Sequence, residues 1–139
     1  MPVRVDILAS GGVVYVRFDG VVRMDEIGRS MRAYGSHPDF RPGQKQLVDL
    51  SRVTGIALDH TGIMSLMAEG MGTLVQPGQE MLLVFWAPTR EGQAAARMVT
   101  RSWDGNAGVV TRVVTDEAEA LAILGLQTTS IAALLAEVP

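Results

Sequence analysis

Leu47-Val48-Asp49-Leu50-Ser51, followed by Val53-Thr54-Gly55 and then by Asp59-His60-Thr61-Gly62, decides how this chain folds. The first segment reads as a short apolar strand, Lys45 to Leu50, ending beside a carboxylate. A loop then crosses, and a small polar turn opens an apolar helical run through Ile63, Met64, Leu66, Met67, Met71, Leu74 and Val75. Strand, crossover and helix in that order make one unit of a parallel sheet.

The same grammar continues downstream. Pro77-Gly78 closes the helix, and Met81-Leu82-Leu83-Val84-Phe85-Trp86 is a continuous apolar run, the pattern of a central strand covered on both faces. Thr89 is placed to cap a following helix whose inner side holds Ala95, Met98 and Val99. Val109, Val110, Val113 and Val114 mark a fifth strand, and Asp116 with Glu119 has capping-box spacing before Ala120, Leu121 and Leu124. Thr128 to Val138 reads as one more short amphipathic helix, packing in cis or mediating homodimerisation.

Upstream the period changes to two. Val3, Val5 and Ile7 alternate with polar residues, Ser10-Gly11-Gly12 signals a turn, and Val14, Val16 and Phe18 alternate again. So short a connection requires an antiparallel hairpin. Met24, Ile27, Met31 and Tyr34 then recur at helical spacing, with Asp25 and Glu26 favoured in the first turn by the helix dipole. His37-Pro38-Asp39-Phe40-Arg41-Pro42-Gly43 is a loop. The expected fold is α/β: an N-terminal antiparallel hairpin joined to a mixed, mainly parallel five-stranded sheet under four to five helices.

The chain's 139 residues suit one domain, read as 1–139 with 126–139 a C-terminal helical extension. Hydrophobic residues at 47% against 19% charged supply a core and exclude disorder. A net charge of -3 offers no long-range attraction for nucleic acid or anionic membranes. The absence of cysteine excludes disulfides and thiolate chemistry. Neither a secretory leader nor a membrane-spanning run occurs in the sequence, so a cytoplasmic, bacterial-style protein without integral membrane association is expected.

Phe18-Asp19-Gly20, Leu47 to Ser51, Val53-Thr54-Gly55, His37-Pro38-Asp39-Phe40 and Asp116-Glu117-Ala118-Glu119-Ala120-Leu121 occur in an order that resembles the STAS-domain superfamily, the anti-sigma-factor-antagonist fold. The likeness is greatest to its SpoIIAA-like branch of small bacterial proteins and runs from the first hairpin to Leu124. In the antagonists a serine in an Asp-Ser-Ser-Gly or Asp-Ser-Thr-Gly turn is phosphorylated by a partner kinase. The resemblance puts Asp59-His60-Thr61-Gly62 at that turn, with His60 where the phosphoacceptor hydroxyl would stand and Thr61 as the remaining candidate.

The residues themselves leave several roles open. Asp59, Thr61 and Ser51 suit the capping of exposed backbone donors, and the 59–62 turn equally suits a partner or an anion. Asp49 reads as a brace more readily than as a nucleophile, since Lys45 is the sole lysine and no acidic set surrounds it. With two histidines, His37 and His60, in different loops and no cysteine, no metal set and no catalytic set is complete, and no cofactor is implied. Arg90, Arg97 and Arg101 form either a solvated helix face or a basic strip for an acidic partner. Met64, Met67 and Met71 share a helix side and, with Trp86, either pack the core or line an adaptable apolar pocket. The expectation is a non-enzymatic, dimeric regulatory or protein-interaction module. The alternative is a binder or sensor of an apolar small molecule such as a lipid or fatty acid, which would need a cavity on the order of 300 Å³ or more beside the methionine helix.

Overall fold

The structure is a computed structural model and describes residues 3–8, 12–59, 61–66, 68, 78–103 and 108–136. Strand β1 (Val3–Ile7) and β2 (Val14–Arg23) are followed by α1 (Met24–Gly35) and β3 (Gln46–Ala57). Residues 61–66 are helical and are labelled α2. Strand β4 (Met81–Trp86), α3 (Arg90–Ser102), β5 (Val109–Val114), α4 (Glu117–Ile123) and α5 (Ile131–Leu135) complete the order. Among the described residues no helix is long and apolar enough to cross a membrane.

The five strands lie side by side in chain order, β1-β2-β3-β4-β5. Only the first pair is antiparallel, with Val5 opposite Val16, and the other three pairs are parallel. At the hairpin, Leu8 N donates to Val13 O at 2.8 Å and Gly12 takes φ +62°, the left-handed region open to a residue without Cβ. The mixed α/β architecture expected from the sequence is the one found.

Chain-order strands and a fixed crossover hand together decide where the helices go. Each parallel step moves the same way across the sheet, so right-handed connections place α1, α2 and α3 on one face. The packing follows. Ile27, Tyr34, Ile63, Ala95 and Ala96 share one buried cluster with Val16, Phe18, Val48, Leu50, Leu83 and Phe85. After β5 the described residues hold no further strand, and α4 and α5 cover the opposite face. There Leu121, Leu124, Ile131 and Leu134 pack on Leu8, Tyr15, Leu47 and Val84. The amphipathic C-terminal helix therefore packs in cis, and Ile131 N also donates to the Glu117 carboxylate.

Local signals explain the helix starts. Thr89 Oγ1 accepts from Gly92 N at 3.0 Å, and Asp116 Oδ2 accepts from Glu119 N at 3.2 Å. Both caps satisfy a donor that the first helical turn leaves free.

Two strands run further than their alternation implies. β2 continues to Arg23, and β3 continues beyond Leu50 to Ala57 instead of stopping beside Asp49. The register explains why the pattern is hard to follow. Arg17 faces Asp49 but Asp19 faces Arg52, and Gly20 faces Val53 but Val21 faces Gly55. At each step β3 accommodates one extra residue, a bulge that resets which side chains point inward. Val53 and Ile56 thereby reach the core although the stretch reads as a loop.

α3 sits unusually close to the sheet at its first turn. A Cβ added to Gly92 would lie 2.7 Å from Leu50 O, a backbone atom that cannot swing aside. Gly92→Ala is accordingly expected to destabilise the fold by about 1–3 kcal/mol, the range for overpacking a filled interior. Urea unfolding checks this, and an unchanged midpoint would mean that α3 is free to lift from β3.

Candidate functional site

Asp49 occupies the interior of β3 on the α4–α5 face and is 3% exposed. Its carboxylate accepts three hydrogen bonds. Tyr15 Oη donates to Oδ2 at 2.5 Å, while Ser51 N and Ser51 Oγ donate to Oδ1 at 2.9 and 2.6 Å. Burial of an anion is tolerable when its lone pairs are met in this way. The residue sits at the first bulge and ties Ser51 back across it, so it braces a bend inside the strand instead of a strand end. Beside it, Arg17 Nε approaches Asp19 Oδ1 at 3.4 Å. The Tyr15 hydroxyl is held well above the ordinary tyrosine range by burial, then by the hydrogen bond to Asp49 and by that residue's charge.

The turn after β3 is built around Asp59. Its Oδ2 accepts from Gly62 N at 3.2 Å, and Ile63 N donates to its carbonyl at 2.9 Å. Asp59 therefore caps α2. A Cβ on Gly62 would meet both Asp59 Oδ2 and Met24 Cε at 3.2 Å, so the turn nestles against the start of α1. Thr61 is exposed, and His60 lies outside the described residues. His37, the other histidine, braces its own loop by accepting from Asp39 N at 3.1 Å. Among the described residues no three His, Cys, Asp or Glu side chains come together to hold a metal. Arg90, Arg97 and Arg101 are all exposed on or beside α3.

An apolar cavity of about 80 Å³ lies on the other side of the sheet, between β2–β4 and the helices α1 and α3. Phe18, Val48, Leu83, Ile27, Met31, Val99 and Trp103 contribute much of its wall. It differs in place and size from the pocket that the methionine stripe implies. Met64 is 48% exposed and does not line it. Trp86 points to the opposite face, packs with the α4–α5 cluster and donates from Nε1 to Thr115 O at 3.2 Å. The reason is parity: in β4, Met81, Leu83 and Phe85 face one way and Leu82, Val84 and Trp86 the other. Met67 and Met71 lie outside the described residues.

Four side chains with polar atoms line the cavity, Ser30, Tyr34, Gln46 and Trp103, and the hydroxyl protons of Ser30 and Tyr34 are engaged. Ser30 Oγ donates to Ile27 O at 2.7 Å, and Tyr34 Oη donates to Gln44 Oε1 at 2.6 Å. Phe40 stacks edge-on against the Tyr34 ring with centroids 4.8 Å apart, which fixes the loop after α1. Gln46 is different. It is 8% exposed, and its one hydrogen bond among the described residues is a weak one from Nε2 to Met81 Sδ at 3.7 Å. The sequence carried a signal for it: Gln46, Val48 and Leu50 share one face of β3, so an amide stands where the alternation calls for an apolar residue.

No protein-family model matches this chain, and no curated protein sequence does either.

Glu26, in the first turn of α1, is buried with Oε2 unpaired among the described residues. Its carboxyl is raised above the usual range by burial and by the neighbouring Asp25. Tyr34 is pushed up to about 12 by burial. Both tyrosines of the chain thus keep their protons beyond the ordinary value near 10. When the folded value exceeds the unfolded one, the native chain retains protons that the unfolded chain has lost. The stability this provides is intact below the unfolded value and is lost as pH rises through the folded one. Alkaline titration is expected to show no tyrosinate absorbance in the folded protein near pH 10, with ionisation accompanying unfolding at higher pH. A full, reversible tyrosinate signal near pH 10 with native circular dichroism would contradict the burial of these hydroxyls.

Proposed function

We propose that the chain is a non-enzymatic, STAS-like regulatory module that binds a protein partner through the surface from Asp59 to Met64. The observation that supports this reading is an apolar side chain presented to solvent just beyond a capped turn. Met64 is 48% exposed, although Ile63 beside it is fully buried. Val21, 40% exposed, stands at the same end of the β2–β3 ladder, opposite Gly55. Exposed apolar groups on a surface held by a cap suit protein contact. Thr61 is the hydroxyl available there for phosphorylation, in place of the position that His60 occupies. A cytoplasmic homodimer belongs to the same reading.

Photo-crosslinking from position 64 tests it, with position 113 as the control because Val113 is similarly exposed on edge strand β5. One protein captured from position 64, absent from position 113 and reduced about tenfold by Thr61→Arg, is the expected outcome, a loss of about 1.4 kcal/mol in binding. Identical captures from both positions, or none from position 64, would contradict it.

A second reading, binding of a small apolar molecule, is favoured by the cavity under α1 and α3. At about 80 Å³ that cavity is far smaller than a fatty acid requires, which narrows what it can take.

A further inference from the structure

We infer that the cavity between β2–β4 and the helices α1 and α3 binds a small neutral molecule: a branched aliphatic group of about five heavy atoms in all, including one hydroxyl or amide, which pairs with Gln46. This rests on the ligand-binding reading and adds the chemistry that the site selects.

Size sets the first limit. An apolar cavity near 150 Å³ holds benzene, so about 80 Å³ holds something smaller in the protein's resting packing. Met31 and Met81 line the space, and flexible, polarizable thioethers let such a wall adjust by an atom or two.

Charge sets the second. Every described lining residue is uncharged, the ones with polar atoms being Ser30, Tyr34, Gln46 and Trp103 with its indole N–H. A carboxylate or ammonium entering this space would lose its hydration with no counter-charge to replace it. Neutral ligands are therefore selected, and the ionised head of a fatty acid is rejected.

Hydrogen bonding sets the third. Ser30 and Tyr34 have already committed their hydroxyl protons to Ile27 O and Gln44 Oε1. Gln46 has given one proton to a thioether at 3.7 Å, and thioether sulfur is a weak acceptor. Its carboxamide still offers an oxygen acceptor and a second N–H donor inside a largely apolar space. A hydroxyl or an amide both donates and accepts, so it answers this group where an alkane leaves it unpaired. A buried polar group left unpaired is the usual source of strong discrimination between otherwise equal ligands.

The test is a titration of the full chain, followed by methyl NMR, with three probes of one shape. They are 2-methylpropan-1-ol, its isostere 2-methylbutane, and propanoate at pH 7, each with the same five-heavy-atom skeleton. The alcohol is expected to shift the methyl signals of Val48, Leu83 and Val99 while leaving those of Leu47 and Val84 on the other face in place. It should bind about fivefold more tightly than the alkane, the scale of one neutral hydrogen bond. Propanoate should bind more weakly than the alcohol. Gln46→Leu should remove the preference for the alcohol, with the Leu47 and Val84 signals reporting that the variant remains folded. Equal binding of alcohol and alkane by the unaltered protein would overturn the role of Gln46 while leaving an apolar site. Tight binding of propanoate would overturn the selection against charge. No shift with any probe would overturn both this inference and the ligand-binding reading beneath it.

Discussion

A single steric rule organises this molecule: parallel crossovers turn right-handed. Because the strands follow chain order across the sheet, the rule sends every connecting helix to the same side. Three helices must then share one face, and the closeness of α3 at Gly92 shows how tightly one of them is drawn down onto β3. Residues from α1, α3 and strands β2 to β4 surround the cavity. Among the described residues the opposite face receives α4 and α5, both short, whose burial of Leu121, Leu124, Ile131 and Leu134 accounts for its apolar cluster.

The two faces treat polar groups differently. On the α4–α5 side, Tyr15, Asp49 and Ser51 form a closed set in which each carboxylate oxygen has a donor. Such a set holds a bulge in register and presents nothing to a ligand. On the three-helix side, Gln46 is buried with a weak partner. A satisfied buried anion is architecture, whereas an under-satisfied neutral amide beside empty space is a recognition group in waiting.

Much of the fold was legible from residue order alone. The Val3–Ile7 and Val14–Phe18 alternation, the Met81–Trp86 run, and the Thr89 and Asp116 caps correspond to elements in their expected places. The extent of β3 was hidden because its two bulges break the period of two on which strand recognition relies. The candidate pocket was less legible. A helical methionine stripe identifies a helix face but not the layer it meets, and a wholly apolar strand conceals which of its residues share a side. Trp86 and Phe85 are neighbours in sequence and lie on opposite faces of the sheet. The cavity joins Tyr34 of α1, Gln46 of β3, Met81 of β4 and Trp103 just beyond α3, a convergence that spacing within one element cannot reveal.

The central claim is that real empty space lies between the sheet and the helices α1 and α3, where Val48, Leu83 and Val99 line it. Xenon, which enters dry apolar cavities, tests this without reference to any natural ligand. Under xenon pressure the account predicts concentration-dependent shifts of the Val48, Leu83 and Val99 methyl resonances, with Leu47, Val84 and Leu121 unmoved. Equal responses on both faces, or none on the three-helix face, would contradict it.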